Sequence, residues 1–244
     1  MSILYRVDGA IARITLNRPE KRNALNEELI GVLKDSLALA AEDQQVRVVL
    51  LTGSGRDFCS GADLAALDRS ADAGVLDHLA TARELADTFL KMRHHPKPIV
   101  AAVRGRAFAG GCGLATSCDI ILAAESAQFG YPEVKIGFIP AMVMAILRRS
   151  VSEKRAFELL ATGDPIGAPE AHAIGLINRA FPDAIFEASV ETYIEDLAAK
   201  SASAVGLTKR LLYHIDSMTF DAAIEAGTQA NALARMTEDA RSGI

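Results

Sequence analysis

The chain has 244 residues, half of them apolar, which suffices for one large or two modest domains around a substantial core. A formal net charge of −5 and an isoelectric point near 5.6 argue against a surface that binds nucleic acid. No apolar run approaches the roughly 20 residues of a membrane-spanning helix, and the first residues lack the layout of a signal peptide, so we predict a cytoplasmic protein without a membrane partner.

The first part of the chain predicts a hairpin, a helix and a buried strand. Alternating apolar residues over 3–16 flank an Asp8-Gly9 pair, which is typical of a tight turn between two antiparallel strands. A helix is expected from about Asn26, and β-branched residues predict a buried strand over 46–52. The two glycines after this strand resemble the start of a dinucleotide-binding fingerprint, but Phe58 stands where the third glycine belongs, so that interpretation is rejected.

Two further segments lie between this strand and the middle of the chain. A small-residue turn over 59–64 follows the strand, and the polar, Asp- and Ala-rich residues 65–74 predict a mobile segment. Apolar residues at helical spacing then predict a helix over 75–92.

The stretch over 98–140 is the most informative part of the sequence. It predicts a strand over 99–103, a glycine-rich turn, a short buried helix over 114–118, a second strand and a loop that carries Glu133. The glycines of the turn permit positive φ and close approach of another molecule to the backbone, and they are Gly105, Gly110, Gly111 and Gly113. Because a helix N-terminus presents unpaired N–H groups, this stretch predicts an anion-binding turn beside a possible acid or base.

The last part of the chain is predicted to be helical apart from one strand. Helices are expected over 141–149 and 152–160, the second with a possible cap from Ser152, followed by a short helix near Pro169 and a strand over 176–181. Beyond residue 184 the pattern is purely helical, in three segments that the sequence places over 186–200, 203–215 and 220–237. We therefore predict a core over 1–183 and a helical region over 184–244 that packs on another subunit.

Several reactive side chains have ordinary structural interpretations. The three cysteines Cys59, Cys112 and Cys118 lack metal-ligand spacing and predict reduced thiols, and Cys112 has no identified base that would make it a nucleophile. The His94-His95 pair has no third ligand at suitable spacing, so we expect a helix-end cap or a surface pair and no metal site. The absence of a Gly-x-Ser-x-Gly motif argues against a hydrolase with a nucleophile elbow.

Four segments, in this order and spacing, resemble the crotonase family of enoyl-CoA hydratases and isomerases. They are L-N-R-P-E-K-R-N-A-L-N over 16–26, F-C-S-G-A-D-L over 58–64, G-R-A-F-A-G-G-C-G-L-A-T-S-C-D-I over 105–120 and A-Q-F-G-Y-P-E-V-K-I-G-F-I-P over 127–140. The resemblance covers nearly the whole chain. It implies an α/β fold, a spiral of repeated β-β-α turns with a helical C-terminal region that forms trimers, often paired into hexamers.

The resemblance also implies chemistry on acyl-CoA thioesters, with no cofactor beyond the CoA of the substrate. It places the two backbone N–H donors that hold the thioester oxygen on Ala62 and Gly110, and the acid/base on Glu133. Burial beside Phe129, Tyr131 and Phe138 would raise the pKa of Glu133 into a useful range.

The family's CoA-binding segments correspond here to residues in two loops, which are Arg22, Asn23, Ala24, Leu25, Asp63 and Leu64. The positive charge of Arg22 suits a phosphate. Asp63 and Asp119 are also expected to bind backbone at turns and helix ends. Lys209 and Arg210 belong either to the phosphate site or to a solvated basic face, and residues 65–74 form either a lid over the acyl chain or a surface loop.

One departure from the family's pattern leaves the reaction open. Hydratases of the family carry two glutamates, and the first of them falls on Gly113, which has no side chain. A single carboxylate suffices for a Δ3,Δ2-enoyl-CoA isomerase, whereas the loop over 133–141 also resembles hydratases of branched or methylglutaconyl-type substrates. A crotonase-type decarboxylase and a non-catalytic CoA-binding protein remain as further alternatives.

Overall fold

The computed structural model describes residues 1–63, 65 and 73–242. Leu64 and most of the segment predicted to be mobile therefore lie outside the described residues. In the described part the strands are β1 (Ile3–Asp8), β2 (Ile11–Leu16), β3 (Val48–Gly53), β4 (Ile99–Val103), β5 (Arg106–Phe108), β6 (Ile120–Ala124), β7 (Gln128–Gly130), β8 (Ile166–Gly167) and β9 (Arg179–Phe181).

The helices of the described part follow the predicted order. They are α1 (Glu27–Glu42), α2 (Val75–His94), α3 (Gly110–Ser117), α4 (Ala141–Ser150), α5 (Glu153–Thr162), α6 (Ala168–Ala173), α7 (Phe186–Ala198), α8 (Ala202–His214), α9 (Phe220–Ala234) and α10 (Glu238–Ser242). None of the helices in these described ranges is both long and apolar enough to cross a membrane.

Two sheets stand side by side and confirm the α/β spiral. The six-stranded sheet has the order β1-β2-β3-β4-β6-β9, in which β1 and β2 are antiparallel and the remaining neighbours are parallel. The second sheet has the order β5-β7-β8 and is extended by a bridge between Cys59 and Ala107. Successive turns of chain thus place one strand in the large sheet, one short segment in the small sheet and then a helix.

Strand β3 shows how the two faces of the large sheet are used. Val49 and Leu51 point into the main core with the helices of the spiral, whereas Val48 and Leu50 point to the opposite face. Helix α7 covers that opposite face with four buried side chains, which are Phe186, Val190, Ile194 and Ala198. Because both faces are covered, the strand is apolar throughout, as is usual for parallel sheets.

The C-terminal region is therefore attached to its own core, at least through α7. Helix α7 thus packs on its own core and not on another subunit. Helix α9 differs, because it has no buried residue and its Phe220 is 77 % exposed. The division into 1–183 and 184–244 remains a prediction.

Local differences from the predicted elements have physical causes. Helix α3 begins at Gly110, four residues earlier than predicted, because packing of Cys112 and Leu114 in the core overrides the poor helix propensity of glycine. Asn26 caps α1 as expected, since its Oδ1 accepts from the Leu29 N–H at 3.0 Å. Ser152 occupies the corresponding position of α5, but its side chain accepts no capping hydrogen bond, so that part of the prediction was wrong.

Candidate active site

The two turns predicted to donate N–H groups lie against each other. The Cys59 N–H donates to the Arg106 carbonyl at 3.0 Å, and the Phe108 N–H donates back to the Cys59 carbonyl at 2.9 Å. Gly61 has a φ of +96°, and a Cβ built on it would lie 2.7 Å from the Ala109 Cβ and 3.5 Å from the Gly110 nitrogen. A side chain at position 61 would therefore separate the two turns.

Backbone geometry leaves the Ala62 and Gly110 N–H groups available. Leu25 donates to the Gly61 carbonyl at 2.8 Å and accepts from the Asp63 N–H at 2.9 Å, so the backbone on both sides of Ala62 is fixed. In this extended segment the N–H of Ala62 points away from Leu25. Gly110 is the first residue of α3, so its N–H has no acceptor within the helix. The next residue must be glycine, because a Cβ on Gly111 would lie 2.4 Å from the Cys59 carbonyl oxygen.

Glu133 lies in a 3-10 turn over Pro132–Ile136, between the small sheet and α4. Its Oε2 atom is buried and has no hydrogen-bond partner in the described part of the chain. Burial raises the pKa of Glu133 above the model-peptide value of 4.5, as predicted. Phe129 and Tyr131 are fully buried in this region, whereas Phe138, predicted to bury the carboxylate with them, is 54 % exposed.

Gly113 is buried, and its missing side chain is replaced by apolar groups from two other helices. A Cβ at this position would lie 2.4 Å from Cγ1 of Val143 on α4 and 2.9 Å from Cζ of Phe89 on α2. The space into which a side chain at position 113 would project is therefore occupied. Leu85, one turn before Phe89, lies 3.6 Å from the corresponding position on Gly110.

The residues predicted to bind CoA divide into exposed and structural ones. Arg22 is exposed at a φ of +53°, so its charge is available to a ligand. Asn23 is fully buried, and its side chain accepts from the Arg18 N–H and donates to the carbonyls of Ser54 and Asp57 at 2.8–2.9 Å. The Asn23 side chain is therefore committed to the scaffold, and Ala24 and Leu25 beside it are buried as well.

Asp63 has the turn-stabilising role expected from its position. Its Oδ2 forms an ion pair with Arg18 at 2.9 Å, and its Oδ1 accepts from the Ala65 N–H at 3.1 Å. Arg18 also donates to the Ala24 carbonyl at 2.6 Å, so it connects the loop near Arg22 to the turn that contains Ala62. Arg18 was not among the predicted site residues, although its place in the L-N-R-P segment was a signal for it. Leu64 lies outside the described residues.

Lys209 was assigned to a phosphate site or to a solvated face, and neither prediction was correct. Only 7 % of the residue is exposed, and its ammonium donates to Asp119 Oδ2 at 2.8 Å and to the carbonyls of Met92 and Lys97 at 3.1 Å. Its neighbour Arg210 is exposed.

The cysteines are structural, as predicted. All three are free and buried, and burial raises the pKa of the Cys59 and Cys112 thiols to about 12. His95 is the C-cap residue of α2, in agreement with the helix-end alternative, whereas the surface alternative was wrong. The side chain is buried, and both its ring nitrogens contact backbone carbonyl oxygens, those of Lys97 at 3.0 Å and Leu37 at 3.1 Å. Across the described ranges, no cluster of three or more His, Cys, Asp or Glu side chains is arranged to hold a metal.

Comparison with known proteins agrees with the geometry. The profile of the family described as enoyl-CoA hydratase/isomerase matches residues 6–244. A protein of Thermus thermophilus, provisionally named an enoyl-CoA hydratase, is 41 % identical over 236 residues, which cover 97 % of this chain and 93 % of that protein. Enoyl-CoA hydratase domain-containing protein 3 of Rattus norvegicus is 32 % identical over 239 residues, which cover 98 % of this chain and 79 % of that protein.

The crystal structure of an enoyl-CoA hydratase from Mycobacterium smegmatis superimposes with a TM-score of 0.95 at 30 % identity, covering 100 % of this chain and 94 % of that one. The human enoyl-CoA hydratase domain-containing protein 3 also has a TM-score of 0.95, at 29 % identity, with coverage of 100 % and 95 %. With its paired glycine turns and its spiral fold, this chain belongs to the enoyl-CoA hydratase/isomerase family of crotonase-fold enzymes.

Proposed function

We propose that the protein acts on an acyl-CoA thioester through an enolate, with Glu133 as the single acid/base. The observation that carries this proposal is the Oε2 atom of Glu133, which is buried and has no partner in the described part of the chain. Burial of a carboxylate oxygen that has no partner disfavours the charged form, and the raised pKa of this half-buried side chain suits a group that removes a proton and returns it. Glu133 also lies near α3, because burial and, to a smaller extent, the charge of Glu133 raise the pKa of the Cys112 thiol on that helix.

The proposed electrophilic stabilisation comes from the N–H groups of Ala62 and Gly110. Removal of a proton next to a thioester carbonyl places negative charge on the carbonyl oxygen. Two fixed donors in a dry site stabilise that charge without reorganisation, and a single such donor is worth about 10²–10³ in rate. The contact between Gly61 and the Ala109–Gly110 turn is what would hold the two donors at a fixed separation.

The reaction favoured by this geometry is a 1,3-proton shift, as in a Δ3,Δ2-enoyl-CoA isomerase. Glu133 would take a proton from one carbon of the acyl chain and return it to another, so no second carboxylate is needed. Hydration requires a water molecule to be held and activated, and the position expected for the other carboxylate contains only Gly113, faced by Val143 and Phe89.

Hydration is the second candidate, because the relatives with full coverage are named as enoyl-CoA hydratases. In that case Glu133 would activate the water alone. Decarboxylation of a malonyl-type thioester needs only the two N–H donors, and binding of CoA without catalysis needs neither group.

We further propose that Arg22 contacts the CoA phosphates and that the protein forms a homotrimer, with pairing into a hexamer as an option. The exposed charge of Arg22 supports the first proposal. Exposed apolar residues on α9 support the second, with Phe220 77 % and Ile224 57 % exposed. Chemistry on acyl-CoA thioesters also predicts a role in fatty acid metabolism, and the cytoplasmic location stays a prediction.

The deciding experiment follows the purified protein with 3-hexenoyl-CoA and 2-hexenoyl-CoA in parallel, with products identified by mass and by double-bond position. We expect the double bond of 3-hexenoyl-CoA to shift without a mass change. The Glu133→Gln variant should lose about 10²–10⁴ in rate while retaining CoA affinity, and Glu195→Gln, an exposed carboxylate on α7, serves as the matched control.

Gain of water on 2-hexenoyl-CoA would replace isomerisation by hydration as the reaction. Carbon dioxide release from malonyl-CoA would identify a decarboxylase. CoA binding without turnover of any of the three substrates would contradict a catalytic role for Glu133.

A further inference from the structure

The apolar groups around Gly113 form a niche that the proposed function leaves without a role. Phe89 and Val143 come from different helices, α2 and α4, and both meet the position where a side chain at residue 113 would project. Phe89 is 6 % exposed and Val143 is 3 % exposed, so both are fixed by packing on all sides. Leu85, one turn earlier on α2, lies 3.6 Å from the corresponding position on Gly110, so α2 contacts the face of α3 that carries Gly110 and Gly113.

The polar groups of α3 beside this niche are already satisfied. The Gly113 carbonyl accepts from the Ser117 hydroxyl at 2.7 Å and from the Thr116 hydroxyl at 3.2 Å. The Thr116 hydroxyl also donates to the Cys112 carbonyl at 2.8 Å. A buried water needs about two to four polar partners, and this part of α3 offers it none.

We infer that Phe89 and Val143 are specificity-determining residues, which keep water away from the reacting carbons and thereby restrict the enzyme to proton transfer. This inference rests on the proposed function of Glu133 as the single acid/base. The ring of Phe89 and Cγ1 of Val143, which lies on α4, together occupy the volume of the absent side chain. The enolate then meets one proton donor, Glu133, and no nucleophile.

The first test compares hydration with isomerisation in wild type and in Phe89→Ala, using 2-hexenoyl-CoA and 3-hexenoyl-CoA. Truncation of the ring opens space beside Gly113, so the ratio of hydrated to isomerised product should rise at least about tenfold. Hydration adds the water hydroxyl to the β-carbon and a proton to the α-carbon, which gives a mass increase that isomerisation lacks. Leu90→Ala, on the same helix but 53 % exposed, should leave the ratio unchanged.

A second test measures the packing around Gly113 through protein stability, in the absence of substrate. The urea midpoint of unfolding is compared for Gly113→Ala, Val143→Ala and the double variant. A Cβ at 113 overlaps Cγ1 of Val143, so Gly113→Ala should destabilise the wild-type background more than the Val143→Ala background. Additive effects would show that the two positions do not share one space, and this would overturn the inference even if Phe89→Ala changed the product ratio.

The two proposals fail in different ways. A wild-type enzyme that isomerises, combined with a Phe89→Ala variant whose product ratio is unchanged, overturns this inference and leaves the proposed function standing. A wild-type enzyme that hydrates as fast as it isomerises, or that does neither, overturns the proposed reaction and the water-excluding role together.

Discussion

The ammonium of Lys209 on α8 lies 2.8 Å from Oδ2 of Asp119, which directly precedes strand β6. Oδ2 of Asp119 also accepts from the Ile99 N–H at 2.6 Å, and Oδ1 of Asp119 accepts from the Tyr213 hydroxyl at 2.7 Å. Desolvation lowers the pKa of Lys209, and the charge of Asp119 opposes that shift. This buried group of hydrogen bonds fastens the C-terminal region to the core where α2 ends and β4 begins.

Substitution of Lys209 is therefore predicted to affect stability. Lys209→Ala leaves Asp119, whose side chain is 12 % exposed, without its cationic partner, and loss of one member of a buried pair costs about 3–5 kcal/mol. Urea denaturation measures this change. Arg210→Ala removes a neighbouring exposed charge and should change the free energy of unfolding by less than about 0.5 kcal/mol. Equal effects of the two substitutions would contradict the role given to the buried ion pair.

Gly61→Ala is predicted to impair catalysis by separating the two donor turns. The new Cβ would lie 2.7 Å from the Ala109 Cβ, and the φ of +96° is strained for alanine. Turnover should fall at least about tenfold, because a small displacement of a preorganised donor weakens it sharply.

A glycine on α1 serves as the control, because it shows the effect of adding a methyl group where there is no contact like that between position 61 and Ala109. Gly31→Ala meets no atom within 4 Å and lies inside a helix, so it should stabilise the protein by about 0.5–1 kcal/mol and leave turnover unchanged. Full activity of Gly61→Ala would show that the distance between the turns is unimportant.

The pH dependence of activity should report the raised pKa of Glu133. As a base, Glu133 must be ionised, so kcat/KM should rise with pH through an ionisation above 4.5. An acidic limb at or below 4.5 would mean that the carboxylate is solvated in the free enzyme.

Stability should depend on pH in the opposite direction. Because the folded pKa is raised, the folded state holds its proton longer than the unfolded state. The stabilising contribution is complete below 4.5 and is lost as pH rises through the folded pKa. The free energy of unfolding of wild type and of Glu133→Gln should be measured over this pH range, and this loss of stability should occur in wild type alone. Parallel curves of unfolding free energy against pH would contradict the assignment of the raised pKa to Glu133.

The thiols are predicted to be unreactive in the folded protein. Burial raises the pKa of Cys59 and Cys112 from 9.0 to about 12, which lowers their thiolate fraction about a thousandfold. Intact-mass analysis after iodoacetamide should show no alkylation of the native protein and three alkylated cysteines in the unfolded protein. Rapid single modification of the native protein at Cys112 would reopen its rejection as a nucleophile.

Local sequence patterns were enough to locate most elements and the chemistry-bearing turns. Asp8-Gly9 between alternating segments predicted the β1–β2 hairpin, and the β-branched run after residue 45 predicted β3, because both signals depend on neighbours in sequence. The glycines near Gly110 and the aromatic loop around Glu133 likewise predict where the active site lies, and that assignment stays a prediction.

Tertiary structure alone decided which of these residues meet. Lys209 contacts Asp119, which is 90 positions away in sequence, and a pattern that shows a basic residue on a helix cannot name its partner. The same holds for Gly113, whose missing side chain was evident in sequence, whereas its replacement by Phe89 and Val143 depends on how α2 and α4 pack on α3. Periodicity determines which face of a helix is buried, but shape and volume in the assembled core determine what that face contacts.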